Sequence, residues 1–358
     1  MRMHNYPQEM NNDSAKITCS VVGARGYAGL ETARLLLQHP FSHLVNCFAT
    51  GDFKLESYLS HPKASEVFCH ADTEIFEHLT DVYFLATPAE VSLKLAPKLL
   101  ASGKKVIDLS GAFRLKKHDY QQWYGFDHHE HSLLKTAHYG LLPWSGPATS
   151  QESSLIANPG CYATAITMAL IPLLKDGLIH AEGIVIDAKS GTTGAGKKAT
   201  ENLIFSEVEG ECLPYKVGKH QHYPEIVEAI ELFSGVQMDA HFTTSLLATR
   251  RGIIANIFAQ LKDGVTLNDV QQSFDKAYQG APLVNHGPLK THAQNLSLKK
   301  VVGTAKTHLT YDVTGKKLYL FSCIDNLIKG AAGQAIENFN RIYDYNTSTG
   351  LNYLEAII

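Results

Sequence analysis

Cys161 is the residue of this chain best placed to do chemistry. It lies in Ile156-Ala-Asn-Pro-Gly-Cys161-Tyr-Ala-Thr-Ala-Ile166. Pro159 and Gly160 break whatever precedes them, and the apolar run from Tyr162 to Leu174 reads as a helix. The thiol is thus expected at or beside a helix N-terminus, where unpaired N–H groups and the macrodipole favour negative charge. The thiolate is the form that attacks a carbonyl carbon. Pro-Gly-Cys turns also serve purely structural ends, so the company of the thiol decides. His220 and His222 alternate in Lys219-His-Gln-His-Tyr-Pro-Glu225, just ahead of a helix start. A histidine close to a cysteine can take its proton and later return it. Arg114 follows a strand in Asp108-Leu-Ser-Gly-Ala-Phe-Arg114; it suits a substrate carboxylate, or equally a surface charge.

Two glycine-rich turns point to anions. Gly23-x-x-Gly26-x-x-Gly29 is one residue longer in its first interval than the dinucleotide fingerprint, yet it follows a strand and opens a helix. Backbone there can approach a pyrophosphate held by the helix N-terminus. An acidic residue ending the second strand would grip a ribose 2′-hydroxyl; Ala49-Thr50-Gly51 has none and Asp52 comes later. That favours NADP over NAD, although no neighbouring arginine in sequence completes a 2′-phosphate site. Ser190-Gly-Thr-Thr-Gly-Ala-Gly-Lys-Lys198 is rich in donors but lacks P-loop spacing; it suits an anionic group or is a flexible turn. Asp127-His-His-Glu-His131 lacks HExxH spacing and reads as a solvated surface segment, so no metal is expected.

The elements that must position these residues form two regions. Strand-like Ile17–Gly23, Leu44–Ala49, Asp81–Ala86 and Lys105–Leu109 alternate with helical Leu30–Gln38 and Val91–Leu100, which predicts a parallel doubly wound sheet. Leu155–Ala157 leads into the cysteine turn. Gly183–Lys189, Thr243–Thr249, Gly252–Leu261 and Lys317–Ile324 then follow at long intervals, predicting an α+β region on a mainly antiparallel sheet. Asn326–Tyr343 reads as one amphipathic helix that returns to cover the first domain.

The 358 residues suffice for two domains, and 44% hydrophobic with 19% charged residues is ordinary for a globular chain. A formal net charge of -3 gives no basic field for nucleic acid. No apolar run is long enough to cross a bilayer. Residues 1–15 are polar, lack a signal core and read as a flexible tail. Six cysteines without CxxC pairs suit a reduced, cytoplasmic protein, with Cys19, Cys47 and Cys323 as buried small hydrophobes.

Asn158-Pro-Gly-Cys161-Tyr-Ala-Thr-Ala, with Ile171-Pro172 following, resembles the active-site signature of the N-acetyl-gamma-glutamyl-phosphate reductase family of arginine biosynthesis. Val22–Gly29, Asp108–Arg114, Ser190–Lys197 and Asp325–Gln334 agree with that family in the same order. The resemblance implies a Rossmann-type NADP-binding domain, residues 16–157 and 326–358, and a glyceraldehyde-phosphate-dehydrogenase-like catalytic domain, residues 158–325. It implies NADPH, a small acyl-phosphate substrate, a homo-oligomer (tetramer or dimer) and a Cys161 thioester. Carried over by position, Cys161 is the nucleophile and His220 the acid/base, while Arg114, His222 and Ser190 meet substrate. Gly23, Ala24, Arg25, Gly26, Tyr27, Ala28, Thr50, Ser190, Gly191 and Asn326 would hold cofactor. A charged His220 and the helix N-terminus are expected to hold the thiol pKa well below its free value. Thr87-Pro88-Ala89 and Thr193 depart from the family's commoner residues. The alternatives are reduction of aspartyl or N-acetyl-aminoadipyl phosphate, a redox-sensing NADP protein, and a cysteine hydrolase.

Overall fold

The structure is a computed structural model that describes residues 16–146 and 151–352. The expected flexible tail, residues 1–15, lies outside the described residues.

The first sheet is parallel throughout. Its strands are β1 (Ile17–Val22), β2 (Ser42–Ala49), β3 (Phe68–Ala71), β4 (Val82–Leu85), β5 (Lys105–Asp108), β6 (His138–Tyr139) and β7 (Leu155–Ala157), in the order β3-β2-β1-β4-β5-β7-β6. All four residues of β4 are buried, the mark of a strand covered on both faces. Helices α1 (Tyr27–Gln38) and α2 (Ala89–Ala101) supply crossover connections. Strands β3 and β6 escape the sequence pattern because they are short and lie at the two edges, where Phe68 is exposed rather than alternating inward.

The second sheet is mixed. It contains β8 (Ile184–Gly191), β9 (Cys212–Tyr215), β10 (Ala240–Leu247), β11 (Ile253–Gln260), β12 (Val284–Pro288), β13 (Thr307–Thr314) and β14 (Lys317–Ile324), in the order β12-β13-β14-β11-β8-β10-β9. Four pairings are antiparallel; β8–β10 and β12–β13 are parallel. Helix α3 (Cys161–Lys175) lies across this sheet and against α4 (His222–Ser234). Its residues Tyr162 to Leu174 are all buried, so α3 is a core helix, apolar all round.

The expected single helix over Asn326–Tyr343 is two pieces. A π-turn spans Ile328–Ala332 and α-helix follows at Gly333–Ile342, here α5. Asp325 explains the break: its Oδ1 accepts the N–H groups of Leu327 and Ile328, while Gly330 N donates to the Asp325 carbonyl at 2.9 Å in a widened i→i+5 bond. Ile328, Ala332, Ile336 and Phe339 share a buried cluster with Cys19, Val21 and Phe84 of the first sheet.

Candidate active site

Cys161 is the first residue of α3, and Gly160 is the N-cap in extended conformation with no side-chain cap. It opens on a cleft of about 420 Å³ that also receives Ser190, Lys216, His220 and His222. Strand β7 delivers the turn: Asn158 N donates to the Asp108 carbonyl at 2.9 Å, and Asn158 Nδ2 to the Ala331 carbonyl at 3.1 Å. The π-turn presses from the other side. A Cβ added at Gly330 would lie 2.7 Å from Cys161 Cβ, so only glycine permits this approach.

The two histidines play different geometric parts. His222 N donates to His220 Nδ1 at 3.1 Å, which makes Nδ1 the acceptor and leaves Nε2 to carry the proton of a neutral ring. The His222 ring lies against the cysteine turn itself, its Nε2 only 2.5 Å from where a Gly160 Cβ would stand. Arg114 comes to the same spot, its Nη1 2.8 Å from that position. Arg114 is buried rather than a surface charge; Nη2 donates to the Leu109 carbonyl at 2.7 Å and Nη1 faces Glu225 Oε2 at 3.4 Å. Arg114 Nε and His222 Nδ1 are buried without hydrogen-bond partners; His222 lines the Cys161 cleft, whereas Arg114 lines a separate hollow beside Tyr139 and Glu228.

Sequence reasoning missed Glu225. Its fully buried carboxylate accepts Gly160 N–H at 2.7 Å and Tyr139 O–H at 2.8 Å through Oε1 while Oε2 faces Arg114. It thereby ties β6, the cysteine turn and the arginine to α4. The available signal was its place three residues after His222, on the same helical face. Lys216 was missed as well; it lines the cleft, donates to Gln221 Oε1 at 2.6 Å, and its pKa is lowered by burial.

Burial sets the protonation states. It pushes the Cys161 thiol up to about 11, against the lowering effects of the Tyr162 N–H and Arg114. Burial also carries His220 down to about 2, assisted by His222 and Lys216, and His222 down to about 3, assisted by Arg114 and Lys216. These directions run against the expected thiolate–imidazolium pair: burial favours a neutral thiol and neutral rings at the ligand-free site. Desolvation of an enclosed charge outweighs a helix N-terminus, worth roughly 0.3–1 kcal/mol at exposed sites.

The anion loop forms one wall of the cleft. Ser190 is buried and its Oγ donates to the Gly191 carbonyl at 3.0 Å, while Gly191 N donates to the Gly252 carbonyl. Asn326 holds this loop to β11: Oδ1 accepts Gly252 N at 2.8 Å and Nδ2 donates to Thr193 Oγ1 at 3.1 Å.

The nucleotide turn lies where the pattern put it. Gly23 has φ +80°, and a Cβ there would be 2.3 Å from the Ala86 carbonyl oxygen. Gly26 caps α1 without a side-chain bond, no carboxylate occupies the first turn, and Tyr27 and Ala28 begin the helix. Ala24 is buried beneath the turn, its N–H donating to the Phe48 carbonyl. The absence of an arginine beside Thr50 proves to be a feature of sequence alone. Arg25 reaches across and Nη1 donates to the Thr50 carbonyl at 3.0 Å. A groove of about 640 Å³, lined by Gly51, Asp52 and Lys54, adjoins this point. A cradle that excludes side chains, an uncapped helix start and a cation at the end of β2 fit a phosphorylated dinucleotide.

The histidine-rich 127–131 segment is not simply solvated. His128 is 2% exposed and its Nε2 bonds the Ala112 carbonyl at 2.8 Å, packed against Phe113 and Tyr120. Among the described residues, His70, Glu74 and His78 have metal-like proximity. The two rings stack 3.9 Å apart with 15° between planes, so no single ion can lie in both.

Models of two semialdehyde dehydrogenase domains match the chain: the NAD binding domain over residues 18–151 and the dimerisation domain over 161–326. N-acetyl-gamma-glutamyl-phosphate reductase of Bacillus anthracis is 37% identical over 342 residues, covering 94% of this chain and 98% of its own. The enzyme of the same name from Geobacillus stearothermophilus is 38% identical over 345 residues, with the same coverage. The fold is shared with Vibrio cholerae aspartate semialdehyde dehydrogenase II, at TM-score 0.67 and 16% identity over 92% of this chain and 99% of that one. It is shared also with the Candida albicans aspartate semialdehyde dehydrogenase solved with NADP, at TM-score 0.66, 13% identity and the same coverage. With a parallel nucleotide sheet, a mixed second sheet and relatives matched over 94% of its length, the chain belongs to the N-acetyl-gamma-glutamyl-phosphate reductase family of semialdehyde dehydrogenases.

Proposed function

We propose that this protein reduces N-acetyl-L-glutamyl 5-phosphate to N-acetyl-L-glutamate 5-semialdehyde and inorganic phosphate with NADPH, in arginine biosynthesis. One observation carries the reading: Cys161 begins a buried helix and faces the cleft that holds His220 and His222. Residues 16–157 with 326–358 form the NADP-binding unit, residues 158–325 the catalytic and oligomer-forming unit of a homotetramer or dimer in the cytoplasm. The matched dimerisation domain supports self-association, and among the described residues no helix is long and apolar enough to cross a membrane.

The chain's own groups perform the acyl transfer. An entering acyl phosphate brings negative charge beside Lys216 and the histidines, which favours moving the Cys161 proton onto an imidazole. His220 is the acid/base, its Nδ1 taking the proton once the His222 N–H releases it, and His222 is its neighbour against substrate. Sγ then attacks the acyl carbon, the carbon–oxygen bond to phosphate breaks, and a thioester forms on Cys161. Arg114 holds the substrate carboxylate, with Ser190 beside it. N–H groups at the start of α3 meet the developing oxyanion. Bound NADPH supplies the hydride; Gly23–Ala28, Thr50, Ser190, Gly191 and Asn326 would hold it, with Arg25 at the 2′-phosphate. The imidazolium returns its proton as the carbon–sulfur bond breaks and aldehyde leaves.

The test is phosphate-dependent reduction of NADP by N-acetyl-glutamate semialdehyde. Wild type should turn over, and Cys161→Ser should lose about 10³-fold or more. Preference for aspartate semialdehyde, or an active Cys161→Ser variant, would overturn the reading.

A further inference from the structure

Lys197 belongs to the anion loop that follows β8, yet its ammonium does not face the acyl cleft. It sits 5.2 Å from the ring centre of Tyr27 and 5.1 Å from that of Tyr58. Both rings come from the nucleotide-binding half: Tyr27 is the first residue of α1, and Tyr58 lies in the connection after β2. Among the described residues no carboxylate forms an ion pair with Lys197. Its neighbour Lys198 lines the cleft with Cys161, so two adjacent lysines serve different sites.

Two ring faces hold a cation in place without neutralising it. Such contacts are worth about 0.5–1 kcal/mol each at exposed sites, little enough to yield to a stronger partner. A phosphate oxygen is that partner, because a charge-assisted hydrogen bond is roughly twice as strong as a neutral one. The ammonium waits beside Tyr27, at the helix start where the glycine turn admits a dinucleotide. Arg25 is occupied one strand-end away, at Thr50.

We infer that Lys197 is the cation that meets the diphosphate bridge of the dinucleotide, held ready for it by Tyr27 and Tyr58. This rests on the NADP reading above and extends it to a residue of the other half. The loop carrying Lys197 also carries Gly194, Ala195 and Lys198, which line the acyl cleft. Cofactor binding thus fixes one wall of the substrate site.

The experiment is calorimetric titration of the full chain with NADP⁺ and with adenosine 2′-monophosphate, which keeps the 2′-phosphate and lacks both phosphates of the bridge. Lys197→Met should weaken NADP⁺ about tenfold while leaving the 2′-monophosphate within about twofold, and Lys197→Arg should recover most of the loss. Tyr58→Leu, which removes one ring, should weaken NADP⁺ in the same selective way but by less. Unchanged NADP⁺ affinity in Lys197→Met would overturn the inference, as would an equal loss for both ligands. A wild-type chain that bound neither ligand would instead overturn the cofactor reading.

Discussion

Burying the Cys161 thiol takes acidity away from it. The same enclosure that strengthens every charge interaction in the cleft penalises an unpaired thiolate, and the thiol rises to about 11. The helix start and Arg114 pull the other way and lose. Activation is therefore left to the substrate, whose phosphate supplies the anion that an imidazolium requires. The free protein should show the consequence directly. At pH 7.5 alkylation of Cys161 by iodoacetamide, followed by mass spectrometry, should run about 10²-fold slower than at an ordinary exposed thiol. Exposed Cys212 provides the comparison within the same chain. The Cys161 rate should still climb above pH 9, because the thiolate fraction grows until pH passes the raised pKa. A plateau below pH 8 would show a thiolate already formed at rest.

At the scale of elements, the π-turn at Ile328–Ala332 converts a distant helix into a wall of the site. Widening one turn brings Gly330 against Cys161, and it is anchored by Lys329, which is fully buried and donates to Glu337 Oε1 at 2.6 Å and to the Leu142 carbonyl at 3.3 Å. Gly330→Ala should lower kcat about 10²-fold through displacement of the nucleophile by a fraction of an ångström. NADP⁺ affinity by titration should hold within about twofold, since the glycine turn is elsewhere; a fully active variant would remove the π-turn from this role. None of this was legible in sequence, where Asn326–Tyr343 has an unbroken helical period. Period named the apolar residues that meet the first sheet, but not that Gln334, Glu337, Asn338 and Asn340 are buried as well; the i→i+5 bonds depend on where the Asp325 carboxylate turns. Cys161 and the Gly23 turn were legible because Pro-Gly and Gly-x-x-Gly act on neighbouring backbone. Glu225 was not, and although Arg25 was expected among the cofactor residues its reach to Thr50 was not, since each acts across the fold: Glu225 on Gly160, and Arg25 on Thr50.

Across the whole molecule, the chain's return path is fastened at both ends. Arg251 joins Glu31 of α1 at 2.7 Å to Asp325 at 3.1 Å, just before the π-turn. Further along, α5 is tied back to the start of the first sheet by His39. Its Nδ1 accepts Phe41 N–H at 3.2 Å, so Nε2 carries the proton and donates to Asn340 Oδ1 at 2.8 Å. The ring is 2% exposed, and burial lowers its pKa from 6.5 to about 4. Between these values the unfolded chain binds a proton that the folded protein excludes. Stability present above pH 6.5 is therefore lost as pH falls toward 4, by about 3 kcal/mol for this group. His39→Gln, which has no titrating ring, isolates that share from the other buried histidines. In urea unfolding the variant should be less stable than wild type at pH 7.5, and the gap should shrink by at least 1 kcal/mol by pH 5. A gap independent of pH would mean that His39 titrates alike in folded and unfolded chains, and that acid lability of the return path lies with other residues.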